Sequence, residues 1–192
     1  LSNRKITSLS GLHLIKNLGS VTTLNLSNNY LLSSECDPEL PKCPFLTCYN
    51  LKILRLDKNR LTSIPTDFFR GLENLELHLS YNQLISLPKS GFKPSLQSLY
   101  VDHNQMSELP IEWIKCSQNI IELNIANNFL TSIDVNALNG LSKMRVLNLS
   151  KNKITKLNVG TFRGLHSLEE LNLHKNKLRT LPEDLFLYQG LG

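Results

Sequence analysis

Seven asparagines stand in one register along this chain, at Asn29, Asn59, Asn82, Asn104, Asn128, Asn152 and Asn176, separated by 30, 23, 22, 24, 24 and 24 residues. Each sits in the frame LxxLxLxxNxL, which is cleanest in Leu168–Leu178, LEELNLHKNKL. The same frame fits Val21–Leu31, Leu51–Leu61, Leu96–Met106, Ile120–Leu130 and Met144–Ile154, and fits Asn74–Leu84 with a polar first position. Self-similarity at a period of about 20–29 residues means a stack of short units, none of which can bury its own apolar side alone. A chain built this way is read as one elongated array, since each unit touches only its neighbours.

The frame also assigns directions. Positions one, four and six point inward, and positions two, three, five, seven and eight point to solvent; the LxL part follows from strand alternation. Neighbouring units lie side by side, so their strands are expected to form a parallel sheet with a step of about 4.8 Å. Phe69, Phe92, Ile114, Leu138, Phe162 and Phe186 supply a second apolar column ten residues after six of the asparagines. Pro65, Pro88, Pro110 and Pro182 follow a loop leucine or, at Pro65, an isoleucine, where a fixed φ and a missing N–H suit a chain leaving the sheet.

The departures from the period are informative. The first repeat is partial, with Leu1, Ile6 and Leu9 in core places and Arg4 in the asparagine place. The 30-residue interval contains SECDPELPKCPFLTC, a Cys- and Pro-rich loop inserted over 33–48. The shorter intervals are expected to lose residues on the outer arc, where loops have room. The expected organisation is a single array over 1–192, one partial and seven recognisable repeats, a fragment with both caps missing.

Where the chain turns off the sheet, backbone groups are left without ladder partners. An asparagine offers two N–H donors and a carbonyl acceptor there, so the seven form a structural ladder in this reading. LxxLxLxxNxL together with FRGL at Phe69–Leu72 and Phe162–Leu165 resembles the leucine-rich repeat family in its 24-residue, extracellular form. The resemblance implies an α/β-type solenoid: a horseshoe with a parallel β-sheet on the concave face and a convex side of loops and short helices. It also implies a ligand-binding module of an extracellular or cell-surface receptor or secreted protein, gripping a protein ligand on the concave face. An intracellular scaffold and a spacer without its own ligand stay open as alternatives.

Most outward positions are small and polar. The middle repeats differ, with Arg55, Asp57, His78, Tyr81, Tyr100, Asp102, His103 and Glu122 across four adjacent strands. Tyr and Arg are enriched at interface hot spots, so these eight are the candidate ligand-binding residues. Asn25-Leu26-Ser27 and Asn148-Leu149-Ser150 fit the N-glycosylation acceptor pattern; glycans on Asn25 and Asn148 would flank that patch and leave it open.

Four cysteines allow several pairings. Cys48 and Cys116 are three repeats apart, about 14 Å at the strand spacing, beyond the limit near 7 Å for a disulfide. The expected bond is therefore Cys36–Cys43 within the inserted loop, with Cys48 and Cys116 as buried thiols. No histidine lies between His13 and His78, which leaves a zinc site at this loop short of ligands, so no metal and no cofactor is expected.

The net charge of +5 raises the question of polyanions. On the outward strand positions six basic residues (Lys52, Arg55, Lys58, Arg145, Lys151, Lys175) balance six acidic ones (Asp57, Glu76, Asp102, Glu122, Glu169, Glu170). A nucleic-acid groove needs a one-signed stripe, and this face has none. The C-terminal basic edge of Lys151, Lys153, Lys156, Lys175, Lys177 and Arg179 could meet an acidic protein or sulfated glycan. No apolar run approaches the roughly 20 residues of a membrane span. GxSxG, HExxH and phosphate-loop motifs are absent, and Asp102 and His103, as adjacent strand residues, are expected to face opposite ways; the reading is non-enzymatic.

Overall fold

The computed structural model describes residues 1–9, 12, 15, 17–32, 44–89 and 95–186. Each leucine frame forms one short strand: β1 Thr23–Asn25, β2 Ile53–Arg55, β3 Leu75–His78, β4 Leu96–Tyr100, β5 Glu122–Asn124, β6 Val146–Asn148 and β7 Glu170–Asn172. They pair in sequence order as one seven-stranded sheet, every pair parallel. This is the parallel-sheet solenoid that the leucine period implies. Opposite the sheet the described residues make turns, a 3-10 turn at Leu18–Ser20 and one short helix, α1, at Ile111–Lys115.

The core is a single continuous stack. Leu54, Leu56, Leu77, Leu99, Leu123, Leu147 and Leu149 are fully buried, and Phe69, Ile114, Leu138 and Phe162 form the outer column behind them. Phe92 lies outside the described residues. Phe186 stacks on Phe162 with ring centroids 5.9 Å apart, yet stays 42% exposed, and Leu185 beside it is buried. Trp113, next to Ile114 on α1, is as buried as the column itself; it meets Phe69 edge-on at 5.6 Å and donates its indole N–H to Pro88 O at 2.8 Å. Phe45, from the end of the inserted loop, packs against both Phe68 and Phe69.

The asparagines behave as a backbone clamp. Asn82 Nδ2 donates to Leu79 O of its own repeat and to Leu56 O of the preceding one, each at 3.0 Å, while its Oδ1 accepts the Leu61 N–H at 3.0 Å. Asn59, Asn104, Asn128 and Asn152 repeat this three-way pattern. Asn29 ties the first turn in through the Arg4 and Ile6 N–H groups, and Asn176 is only partly buried beside the last strand.

Three expectations change. In β3 the first core position belongs to Leu75, not Asn74: Leu75 pairs with Leu96, but Glu76 pairs with Ser98, a register shift of one residue. The residue missing from this repeat is thus lost inside the strand and not on the outer arc, because Leu72 and Leu75 keep the usual spacing of three. Asn74 absorbs the kink at φ 51°.

Cys116 is exposed, not buried. The column filled by Cys48, Leu72, Leu141 and Leu165 is occupied in that repeat by Ser117, three residues before Ile120 and likewise buried. A hydroxyl is accommodated because Ser117 Oγ donates to Trp113 O at 2.9 Å and accepts from the Leu96 N–H at 3.0 Å, which removes the cost of an unsatisfied buried polar group. Cys48 is fully buried, and burial pushes its thiol pKa up. Cys36 and Cys43 lie outside the described residues.

The third change concerns position eight. Asn28, Lys58, Tyr81, His103, Asn127, Lys151 and Lys175 all adopt φ between 53° and 58°, a left-handed conformation in each repeat. The N–H groups of the first six reach the next strand's position-seven carbonyl, as in Lys58 N to Ser80 O at 2.9 Å and Tyr81 N to Asp102 O at 3.0 Å. These side chains therefore belong to the turn, not to the strand, and the alternation rule stops one residue earlier than the frame implies.

Candidate functional site

Position five shows why the middle strands differ from the rest. In β1, β5, β6 and β7 it is asparagine, and each Oδ1 accepts the N–H two residues on: Asn25 from Ser27, Asn124 from Ala126, Asn148 from Ser150 and Asn172 from His174. These amides close a local turn as the chain leaves the strand. In β2, β3 and β4 the position holds Arg55, His78 and Tyr100 in direct register. Those side chains are free of the turn and reach sideways across the sheet.

They build one connected row. The Arg55 guanidinium lies 4.0 Å from Glu76 Oε1, His78 Nε2 sits 2.6 Å from the same oxygen, and the imidazole stacks on Tyr100 with centroids 4.5 Å apart. Tyr100 then donates its hydroxyl to Glu122 Oε2 at 2.6 Å. Partial burial, followed by the hydrogen bond and charge of Glu122, raises the Tyr100 pKa well above the ordinary phenol value. It is a neutral donor across the physiological range.

A second row runs through the turns. Lys58 Nζ lies 5.9 Å from the Tyr81 ring centroid, and Tyr81 stacks on His103 at 4.0 Å. His103 Nδ1 is 2.8 Å from Asp102 Oδ2, and its Nε2 faces the Asn127 amide nitrogen. Asp102 and His103 do meet, contrary to the strand-alternation expectation, because the positive φ of His103 folds its ring back beside its neighbour. Both ring nitrogens are satisfied by a neutral imidazole with the proton on Nδ1. Asp102 Oδ1 is also held, by Ser80 Oγ and by Asn124 Nδ2 at 3.2 Å.

The eight candidate residues thus fall into these two rows, except Asp57. Asp57 Oδ1 is buried and has no hydrogen-bond partner, although it stands in the same column as Asp102. Sequence reasoning overlooked Lys58, Glu76, Ser80, Asn124 and Asn127 as participants. Their signal was available, since each occupies the same template column as a candidate one repeat away or, for Glu76, two repeats away at Glu122. Among the described residues no three His, Cys, Asp or Glu side chains converge as a metal would require, and no helix is long and apolar enough to cross a membrane.

Position eight also redistributes charge. Lys58, Lys151 and Lys175 leave the strand face for the turn, so the balance of six and six counted along the strands does not hold. The strand face keeps Lys52, Arg55 and Arg145 against six carboxylates, one pair of which, Arg145 and Glu169, forms a two-bond contact at 2.8 Å on the exposed surface.

A family profile described as leucine rich repeat matches residues 49–106, 94–154 and 142–187, and a second matches 20–43. The chain belongs to the leucine-rich repeat family. Among relatives of this leucine-rich repeat chain, Toll-like receptor 6 of Bos taurus is 38% identical over 114 residues, covering 58% of this chain and 13% of the receptor. Lumican of Homo sapiens is 38% identical over 94 residues, covering 47% of this chain and 28% of lumican. The chain therefore spans a minor part of either relative's length. Among solved structures, human 5T4 (trophoblast glycoprotein) superposes with a TM-score of 0.78 at 26% identity, over 99% of this chain and 71% of that one.

Proposed function

We propose that this leucine-rich repeat segment is a non-enzymatic recognition module of an extracellular or cell-surface protein, binding a protein ligand on strands β2 to β5. The observation that carries this reading is the substitution at position five. Where the other strands spend an asparagine on closing the turn, β2, β3 and β4 present Arg55, His78 and Tyr100, linked through Glu76 and Glu122 into a preorganised row. Side chains held by their neighbours lose little rotamer freedom on binding. Tyr81, at 49% exposure, and Tyr100 are the aromatic anchors.

Similarity to Toll-like receptor 6, lumican and 5T4 supports an extracellular setting over an intracellular scaffold. In that setting Asn25 on β1 and Asn148 on β6 carry glycans that border the patch, and Cys36 pairs with Cys43.

The test is a screen of secreted proteins and ectodomains against the chain, run beside a Tyr81→Ala/Tyr100→Ala variant and a Thr22→Ala/Thr23→Ala variant at the start of β1, which leaves the Asn25 sequon intact. A ligand of this site loses roughly tenfold or more in affinity with the tyrosine variant, as hot-spot truncation does, and is unaffected by the β1 variant. A ligand that binds both variants equally sits elsewhere.

A further inference from the structure

Positions eight, ten and twelve flank the inward-turned asparagines and form a narrow edge beside the sheet. From Asn3 to Arg179 these positions contain eight cations and no carboxylate. Lys5, Lys58 and Arg60 lie toward one end; Lys151, Lys153, Lys175, Lys177 and Arg179 toward the other, all exposed. Carboxylates border the edge at position seven, as Asp57 and Asp102, and at position thirteen, as Glu108, which is bound to Lys89 at 2.6 Å. This one-signed edge arises from the left-handed residue at position eight, which brings Lys58, Lys151 and Lys175 into line with the cations of position ten.

The densest part is a two-by-two array. Lys151 and Lys175 share column eight, and Lys153 and Lys177 share column ten, in adjacent repeats about 4.8 Å apart. Among the described residues none of these lysines is within ion-pairing distance of a carboxylate; Lys153 instead lies 4.2 Å over the Phe129 ring. Uncompensated like charges at neighbouring positions destabilise the sheet edge, so the array returns no stability to the fold.

We propose that this edge binds a linear sulfated glycan beside the protein site on the strands, with which it shares Lys58 and Tyr81. The geometry suits an extended polyanion, since the cations stand in two groups toward the ends of a line of seven repeat steps, about 34 Å at the strand spacing, with none at these positions in the repeats of Asn82, Asn104 and Asn128. Six of the eight are lysines, point charges that suit sulfate as readily as phosphate. The rings along the edge are engaged already: Tyr30 under Arg60 at 4.2 Å, Phe129 under Lys153, and Tyr81 against His103. Base stacking, which single-stranded nucleic acid relies on, would have to displace those contacts.

The experiment measures binding of the 192-residue chain to size-defined heparin oligosaccharides across a salt series. Desulfated heparin and single-stranded DNA of matched charge serve as competing probes. Lys151→Gln/Lys153→Gln/Lys175→Gln/Lys177→Gln should weaken heparin binding about tenfold or more at physiological salt and flatten the salt dependence. Arg70→Gln/Lys89→Gln/Lys115→Gln/Lys143→Gln, equal in net charge, should change it less than about twofold. Replacing the four edge lysines with arginine should retain binding, which separates lost charge from lost fold. Equal weakening in both glutamine variants, equal binding of desulfated heparin, or tighter binding of the DNA would each overturn the proposal.

Discussion

The Asn128 amide shows what a single polar side chain does in this fold. Its Nδ2 donates to Val101 O at 3.0 Å and to Ile125 O at 3.2 Å, and its Oδ1 accepts the Met106 N–H at 2.8 Å. Removing it strands the Met106 N–H in a buried turn, an unsatisfied polar group costing about 1–3 kcal/mol, and leaves the Val101 and Ile125 carbonyls with one amide donor each, from Asn104 and Asn152. Asn128→Ala should therefore lose about 2 kcal/mol or more in denaturant unfolding, while a ligand on the strand face keeps its affinity in the folded fraction. An unchanged midpoint would contradict the clamp. The asparagine column was legible in the sequence because spacing alone marked it. The pairing of Asp102 with His103 was not, because it depends on a backbone angle at His103 that no periodic pattern announces.

At the level of the strand, β3 shows how one deletion is absorbed. Losing a residue inside a strand would normally turn its side chains to the wrong face. Here the shift between Leu75 and Glu76 restores the inward sequence Leu75, Leu77, Leu79, all fully buried. Burial separates the two register assignments. Leu75→Ala should cost about 2–5 kcal/mol, as for other core leucines, whereas Asn74→Gly, at an exposed position with φ 51°, should stay within about 1 kcal/mol. Comparable losses in both would return Asn74 to the core position. The shift also lies beneath the candidate site, since Glu76, just after it, is the carboxylate that joins Arg55 to His78.

Across the whole molecule, the repeats make every column a surface with its own character. The inner columns are apolar, the strand face is acidic around Tyr100, and the turn edge is basic toward both ends. The cysteines report on this partition. Alkylation of the native chain followed by peptide mapping should modify Cys116 rapidly, and Cys48 only after denaturation, because Cys48 is fully buried and its thiol pKa is raised by that burial. Native labelling of Cys48 would contradict the packing of the column next to the inserted loop. The same map, taken without reduction, tests the Cys36–Cys43 bond.

The sequence by itself determined the stack: leucines, asparagines and outer aromatics recur at spacings that only a parallel solenoid can bury together. It also singled out the middle repeats, where Arg55, His78, Tyr81 and Tyr100 break a bland pattern. Tertiary structure decided what spacing does not encode. The left-handed turn at position eight sends three lysines off the strand face, Ser117 takes the core place next to an exposed Cys116, and Leu75 replaces Asn74 in register. Each outcome depends on which backbone groups and side chains the adjacent repeat offers, and those partners lie about 20 or more residues away along the chain.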